Sequence, residues 1–144
     1  MQTRVLVADD EPLTADMIAL LLAFHGYEVL VAHDGEQALA RARESRPRVV
    51  LLDNVMPGMK GPEVARRLRQ DPVFADHGVI VLFSSVDEMD VDWRAAGADA
   101  FLQKPFELRA LPQLLEQLMA AHGGPAENGP PGSSDGPQKP ATAS

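Results

Sequence analysis

The sequence predicts an α/β fold: an open, doubly wound sheet of five parallel strands with helices on both faces. Three observations carry this expectation. Short apolar runs suited to buried parallel strands alternate with helical spacing five times along the chain. The intervals between the runs fit right-handed crossovers. The chain has 144 residues, too few for the eight units of a closed barrel.

The first strand spans roughly Arg4–Ala8 and empties into Asp9, Asp10, Glu11 and Pro12. Pro12 opens a helix carrying Met17, Leu20, Leu21 and Phe24 at the three-and-four spacing of an apolar stripe, and Gly26 stops it. His25 reads as a helix-end residue rather than a ligand. Strand two is Glu28–Ala32. Asp34, Gly35, Glu36 and Gln37 then spell a capping box, with Asp34 as cap and Gln37 reaching back. The helix behind it holds Ala38, Leu39 and Ala42 on one side, and Pro47 ends it.

Val49–Leu52 form a third strand that stops at Asp53. Pro57-Gly58 and Gly61 force a compact loop. Pro62 suits the first turn of a helix reaching about Gln70, which Asp71-Pro72 breaks. Val79–Phe83 is a fourth run and ends on Ser84 and Ser85. Asp87 to Ala96 supports a short helix at best, closed by Gly97. Asp99–Gln103 is a fifth, shorter strand ended by Lys104-Pro105. Leu108, Leu111, Leu114, Leu115 and Leu118 mark a last amphipathic helix. Pro112 predicts an irregular start or a slight kink there. Five such units fit the flavodoxin-like strand order 2-1-3-4-5.

Composition narrows the function. Hydrophobic residues make up 45% of the chain, ample for one core. With no cysteine, a disulfide framework and a thiolate metal site are both excluded. There is no long apolar run and no signal-peptide pattern, so the expectation is a cytoplasmic protein without a membrane partner. A net charge of −8 argues against direct nucleic-acid binding and allows a basic partner surface. After His122 the composition shifts to five Gly, five Pro and three Ser in 22 residues. Residues 1–122 are therefore expected to form the domain, and 123–144 a disordered tail or linker.

Chemistry gathers where strands end. Asp53 alone says little, because aspartate is common in turns. Asp9 and Asp10 follow the first strand in an equivalent place, and neighbouring parallel strands lie about 5 Å apart. Three carboxylates in so small a volume repel one another unless a cation joins them, and hard oxygen ligands favour Mg²⁺. Ser84 and Lys104 leave two further strand ends. A nucleophilic carboxylate, a metal pair, a hydroxyl and a fixed ammonium are the parts that phosphoryl transfer needs.

Over about Thr3–Ala121 the chain resembles the receiver domain of two-component response regulators. The matching stretches are Val-Ala-Asp9-Asp10-Glu-Pro, Leu-Leu-Asp53-Asn-Val-Met-Pro-Gly-Met-Lys-Gly61, Phe83-Ser84-Ser85 and Gly97-Ala-Asp-Ala-Phe101-Leu-Gln-Lys104-Pro105-Phe106. The resemblance implies that Asp53 is the phosphoacceptor, served by a histidine kinase or a histidine phosphotransfer protein. It implies that Asp9, Asp10, Asp53 and the backbone carbonyl of Val55 hold Mg²⁺. Ser84 would be the switch hydroxyl, Phe101 the switch aromatic and Lys104 the phosphoryl contact, with Lys104-Pro105 a cis peptide. An output partner would meet the face formed by residues 87–121, where a phosphorylation-dependent homodimer is a further option.

Departures from the family pattern are local. Ser85 replaces a small apolar residue, and Phe101 has no hydroxyl. The segment between Ser85 and Gly97 is short and acidic, with Asp87, Glu88, Asp90 and Asp92. The expectation is a phosphorylation-operated switch and not a turnover enzyme. The alternatives are the receiver part of a longer DNA-binding regulator, a Mg-dependent aspartyl phosphatase and a constitutive pseudo-receiver. Many such phosphatases carry an acid two residues after the nucleophile, where this chain has Val55.

Overall fold

A computed structural model describes residues 2–72, 74, 78–85 and 92–121. Five strands, β1 (Arg4–Ala8), β2 (Glu28–Ala32), β3 (Val49–Asp53), β4 (Val79–Ser84) and β5 (Ala100–Gln103), pair in parallel in the order β2-β1-β3-β4-β5. The predicted sheet order is therefore observed. Helices α1 (Pro12–Phe24), α2 (Gly35–Ser45), α3 (Gly61–Arg69) and α4 (Leu111–Ala121) flank it.

Alternation along the strands sorts the core into two layers. Leu6, Ala8, Val50, Leu52, Ile80 and Leu82 pack with Ala38, Leu39 and Ala42 of α2 and Val64, Ala65 and Leu68 of α3. Val5, Val7, Val49, Leu51, Val79, Val81 and Phe83 pack with Ala15, Ile18 and Leu22 of α1 and Leu111 and Leu115 of α4. The central strands β3 and β4 are buried along their whole length. That explains their near-continuous apolar sequence.

Helix α1 departs from its expected stripe. It buries Ala15, Ile18 and Leu22, while Met17, Leu20 and Phe24 are 49%, 74% and 85% exposed. Leu13 joins them at 70%. The helix is apolar around most of its circumference, so two stripes satisfy the same three-and-four spacing. Spacing alone does not say which of them meets the sheet.

Helix α2 starts as expected, with Asp34 accepting from the Gln37 amide at 2.7 Å. The return bond differs: the Gln37 side chain accepts from the amide of His33 at 2.8 Å, one residue before the cap. The helix closes on Arg46, which takes a left-handed conformation (φ 53°) with Pro47 behind it. Pro112 sits in the first turn of α4, behind a 3-10 turn at Leu108–Ala110, so the irregular start is present.

At the amino ends of β4 and β5, Arg69 ties α3 to the sheet. Its guanidinium donates to the carbonyls of Gly97 and Gly78 and to Asp99 Oδ2, each at 2.7 Å. Asp99 Oδ2 also accepts from the Ile80 amide at 2.8 Å. Gly97 (φ 95°) is required here, since a Cβ would press into the Arg69 side chain.

Of the short helix expected at 87–96, only the part from Asp92 onward is described, and it forms hydrogen-bonded turns through Gly97. Asp87, Glu88, Asp90 and the expected tail 123–144 lie outside the described residues. Trp93 and Phe101 are both partly buried against the core layer of α2 and α3, and the Arg94 guanidinium lies 4.4 Å from the centre of the Trp93 ring.

Candidate functional site

The sheet register builds the site. Ala8 pairs with Leu52, so Asp9 and Asp53 leave adjacent strands at nearly the same level. The ladders run on past the strand ends. The Asn54 amide donates to the Phe83 carbonyl at 2.8 Å, and the Lys104 amide to the Ser84 carbonyl at 2.7 Å. Four segments far apart in sequence are thus anchored by backbone before any side chain is considered.

Carboxylate oxygens of Asp9, Asp10 and Asp53 lie within 4.8 Å of one another. Asp9 is fully buried, Asp53 is 6% exposed, and Asp10 faces solvent. Lys104 reaches in with Nζ 3.2 Å from Asp9 Oδ2 and 3.5 Å from Asp53 Oδ2. The same ammonium lies 5.1 Å from the centre of the Phe83 ring. Asp9 Oδ1 accepts from the Glu11 amide at 2.9 Å, which holds the carboxylate in place.

Electrostatics at the centre are unbalanced. Burial, followed by the charge of Asp9, pushes Asp53 up to about 6, and Lys104 only partly offsets this. Burial alone would lower Lys104, but the carboxylates of Asp53 and Asp9 outweigh it and hold its pKa above the ordinary value. An additional cation would relieve the repulsion that raises Asp53.

The donors fit a hard divalent ion. All three are carboxylate oxygens, and the exposed one leaves an entry path. Three carboxylate oxygens within 4.8 Å of one another are the hard, anionic donor set that Mg²⁺ favours.

The structure places the other expected residues as follows. Val55 lies on the loop after Asp53, with its amide 3.4 Å from Asp53 Oδ1 and its side chain 53% exposed. Ser84 is 1% exposed at the end of β4, one residue beyond the Phe83 that pairs with Asp53, whereas Ser85 is exposed. Phe101 sits in β5 opposite Leu82, its ring neither fully buried nor free. The Lys104-Pro105 peptide is cis.

Three neighbours had no role in the sequence reading. Phe83 lies beside the Lys104 ammonium. His33 places its Nδ1 3.3 Å from the Asp9 carbonyl oxygen, and Gly35 donates to the Pro57 carbonyl at 3.4 Å. His33 and Gly35 follow β2, a strand neighbouring β1. The strand-end rule that found the other groups also points to this junction.

Comparison with known proteins agrees with this geometry. The response regulator receiver domain family matches residues 5–116. The DNA-binding response regulator MtrA of Mycolicibacterium smegmatis is 42% identical over 114 residues, covering 77% of this chain and 48% of the relative. Transcriptional regulatory protein TrcR of Mycobacterium tuberculosis is 35% identical, over 81% of this chain and 45% of its own. The chain spans about half the length of these curated relatives. Among solved structures, chemotaxis response regulator CheY4 of Vibrio cholerae superposes with a TM-score of 0.75 at 30% identity, covering 82% of this chain and 99% of that one. Matched in sequence across both of its core layers and in shape across its whole sheet, this chain belongs to the response regulator receiver domain family.

Proposed function

We propose that Asp53 accepts a phosphoryl group from a histidine kinase or a histidine phosphotransfer protein, and that this operates a two-component switch. The observation that carries the reading is the cluster of three carboxylates with the Lys104 ammonium paired to two of them, Asp53 among these and nearly buried. Asp9, Asp10, Asp53 and the Val55 carbonyl are the groups that would hold Mg²⁺, which when bound neutralises phosphoryl oxygens. A carboxylate oxygen of Asp53 attacks phosphorus, and the P–N bond of the donor's phosphohistidine breaks. The imidazole leaves with a proton taken from water. Lys104 binds a second phosphoryl oxygen, and Ser84 offers its hydroxyl to a third.

The switch follows from that last contact. A phosphoryl group draws the Ser84 loop inward, and the Phe101 ring fills the space this opens. The differential contact between the two states is the Ser84 bond, as a ligand-driven shift requires. The readout face is residues 87–121, where an output partner or a second copy binds. Val55 stands two residues after Asp53, where many aspartyl phosphatases carry their general acid. The reading is therefore a switch rather than a turnover enzyme.

The donor has a docking face of its own. Leu13, Met17, Leu20 and Phe24 are exposed along α1 at alternating four- and three-residue steps, the spacing of a helix-packing seam. The stripe begins three residues after Asp10, so a protein reaching Asp53 also covers it. The donor that fits presents a helix there.

A second reading is favoured by the relatives, whose matched halves belong to proteins named as DNA-binding or transcriptional regulators. On that reading the chain is the receiver part of such a regulator. Intact-mass measurement after acetyl phosphate with Mg²⁺ tests the common core. One phosphoryl group is expected on wild type and none on Asp53→Asn; a stable adduct on both overturns the assignment.

A further inference from the structure

We infer that Gly35, at the start of α2, is a positioning residue for the phosphoryl site, because its missing side chain seats the loop that leaves Asp53. The inference rests on the reading of Asp53 as a metal-assisted phosphoacceptor.

Besides the Asn54 amide bond to the Phe83 carbonyl, two glycines meet the 54–60 loop backbone to backbone. On one side, Gly61 donates to the Asn54 carbonyl at 3.1 Å, and a Cβ on Gly61 would collide with the Asp53 carbonyl oxygen. On the other side, buried Gly35 donates to the Pro57 carbonyl. A Cβ on Gly35 would collide with the carbonyl group of Met59. Backbone atoms cannot swing aside by changing rotamer, so any side chain at residue 35 moves either the loop or α2.

Gly61 adjoins the site in sequence and is an obvious neighbour. Gly35 comes from another element and gives the loop an independent reference point. The loop needs one, because Pro57-Gly58 at its tip, with Gly58 at φ 75°, makes its path a turn rather than a strand.

The seat is itself referenced to the acidic cluster. Asp34 caps α2 through the Gln37 amide, Gln37 holds the His33 amide, and the His33 ring reaches the Asp9 carbonyl oxygen. One five-residue junction thus touches the Asp9 side of the centre through His33 and the Asp53 side through Gly35. The Val55 carbonyl, carried on the seated loop, is thereby placed relative to both carboxylates. Gly35 contacts none of the reacting groups and acts only through the loop.

The test is a Mg²⁺ titration of the full chain followed by backbone amide NMR, which reads Kd and folding together. Four proteins are compared: wild type, Gly35→Ala, Met59→Gly and Ala42→Gly. The last loosens α2 away from the junction. Gly35→Ala is expected to raise the Mg²⁺ Kd at least fivefold, and Met59→Gly, which keeps the seated carbonyl but loosens the backbone that carries it, also to raise it. Ala42→Gly is expected to lower Tm while keeping the wild-type Kd. If Gly35→Ala does not fold, Met59→Gly decides. A wild-type Kd in every folded variant overturns the inference, as does a Kd that rises equally in Ala42→Gly. Wild type without a Mg²⁺ response overturns the phosphoacceptor reading itself, a distinct outcome.

Discussion

At the two ends of the sheet, charge is handled in opposite ways. At the amino ends of β4 and β5 one guanidinium meets one carboxylate, and Arg69 also donates to two backbone carbonyls. At the carboxyl ends three carboxylates gather, and one ammonium pairs with two of them. The first cluster pairs opposite charges and ties α3 to two strands by hydrogen bonds, so its role is met within the fold. The second carries excess negative charge, and burial together with the charge of Asp9 raises the pKa of Asp53. On the proposed reading, a site that takes a cation and a phosphoryl group is held short of positive charge until they arrive. Stability is lost there so that binding can restore it.

Neutralising one carboxylate at each end separates the two roles most strongly. Asp53→Asn should abolish acetyl phosphate labelling, a complete loss read by intact mass. It should also raise the stability of the metal-free protein at pH 7 by about 1–3 kcal/mol, because it relieves like-charge crowding. Asp99→Asn or Arg69→Ala should do the reverse. Removing one partner of a largely buried pair is expected to cost about 2–4 kcal/mol in urea unfolding, with labelling retained. Destabilisation by Asp53→Asn would show that the acidic cluster is a structural network after all.

The pH dependence sharpens the contrast. Asp53 holds its proton more tightly folded than unfolded, so the folded state binds more protons between about pH 4 and pH 6. The stability that Asp53 contributes is present below about pH 4 and is lost as pH rises to about 6. Denaturant melts without metal should show this fall in wild type, and Asp53→Asn should flatten it. Added Mg²⁺ should raise the Tm of wild type at pH 7, and less so that of Asp10→Asn. An equal rise in both would remove Asp10 from the ligand set.

The smallest effect on stability is expected where neither cluster reaches. Leu20→Asp on the open face of α1 should change stability by no more than about 0.5 kcal/mol. It should slow phosphotransfer from a phosphohistidine donor protein while leaving labelling by acetyl phosphate unchanged. Equal slowing with both donors would mean that the stripe does not dock the donor.

How much was legible in the sequence depended on which contacts are local. Strands β1 and β2 are bounded by polar residues or glycine, and their predicted ends coincide with the observed ones. The three aspartates were found because parallel strands end side by side, a rule that needs only the order of elements. Helix α1 was misread because Ile18 and Leu22 compete with Met17 and Leu20 on equal terms. The second bond of the α2 cap went to His33 because a side chain of Gln37's length reaches either amide. The contact between Gly35 and Met59 had no signature of its own, since it joins two backbones whose proximity only the folded sheet creates.

Trp93 has a consequence for observing the protein. It is the chain's one tryptophan, and it rests on the apolar layer that also supports Phe101, with the Arg94 guanidinium over its ring. Fluorescence excited at the red edge of aromatic absorption therefore reports from a single indole on the core layer that Phe101 shares. An inward turn of Phe101 would repack the surface under that indole and change its emission. A stopped-flow trace with beryllofluoride and Mg²⁺ would then time the switch without any attached dye, and Ser84→Ala would silence the slow phase while sparing the binding step.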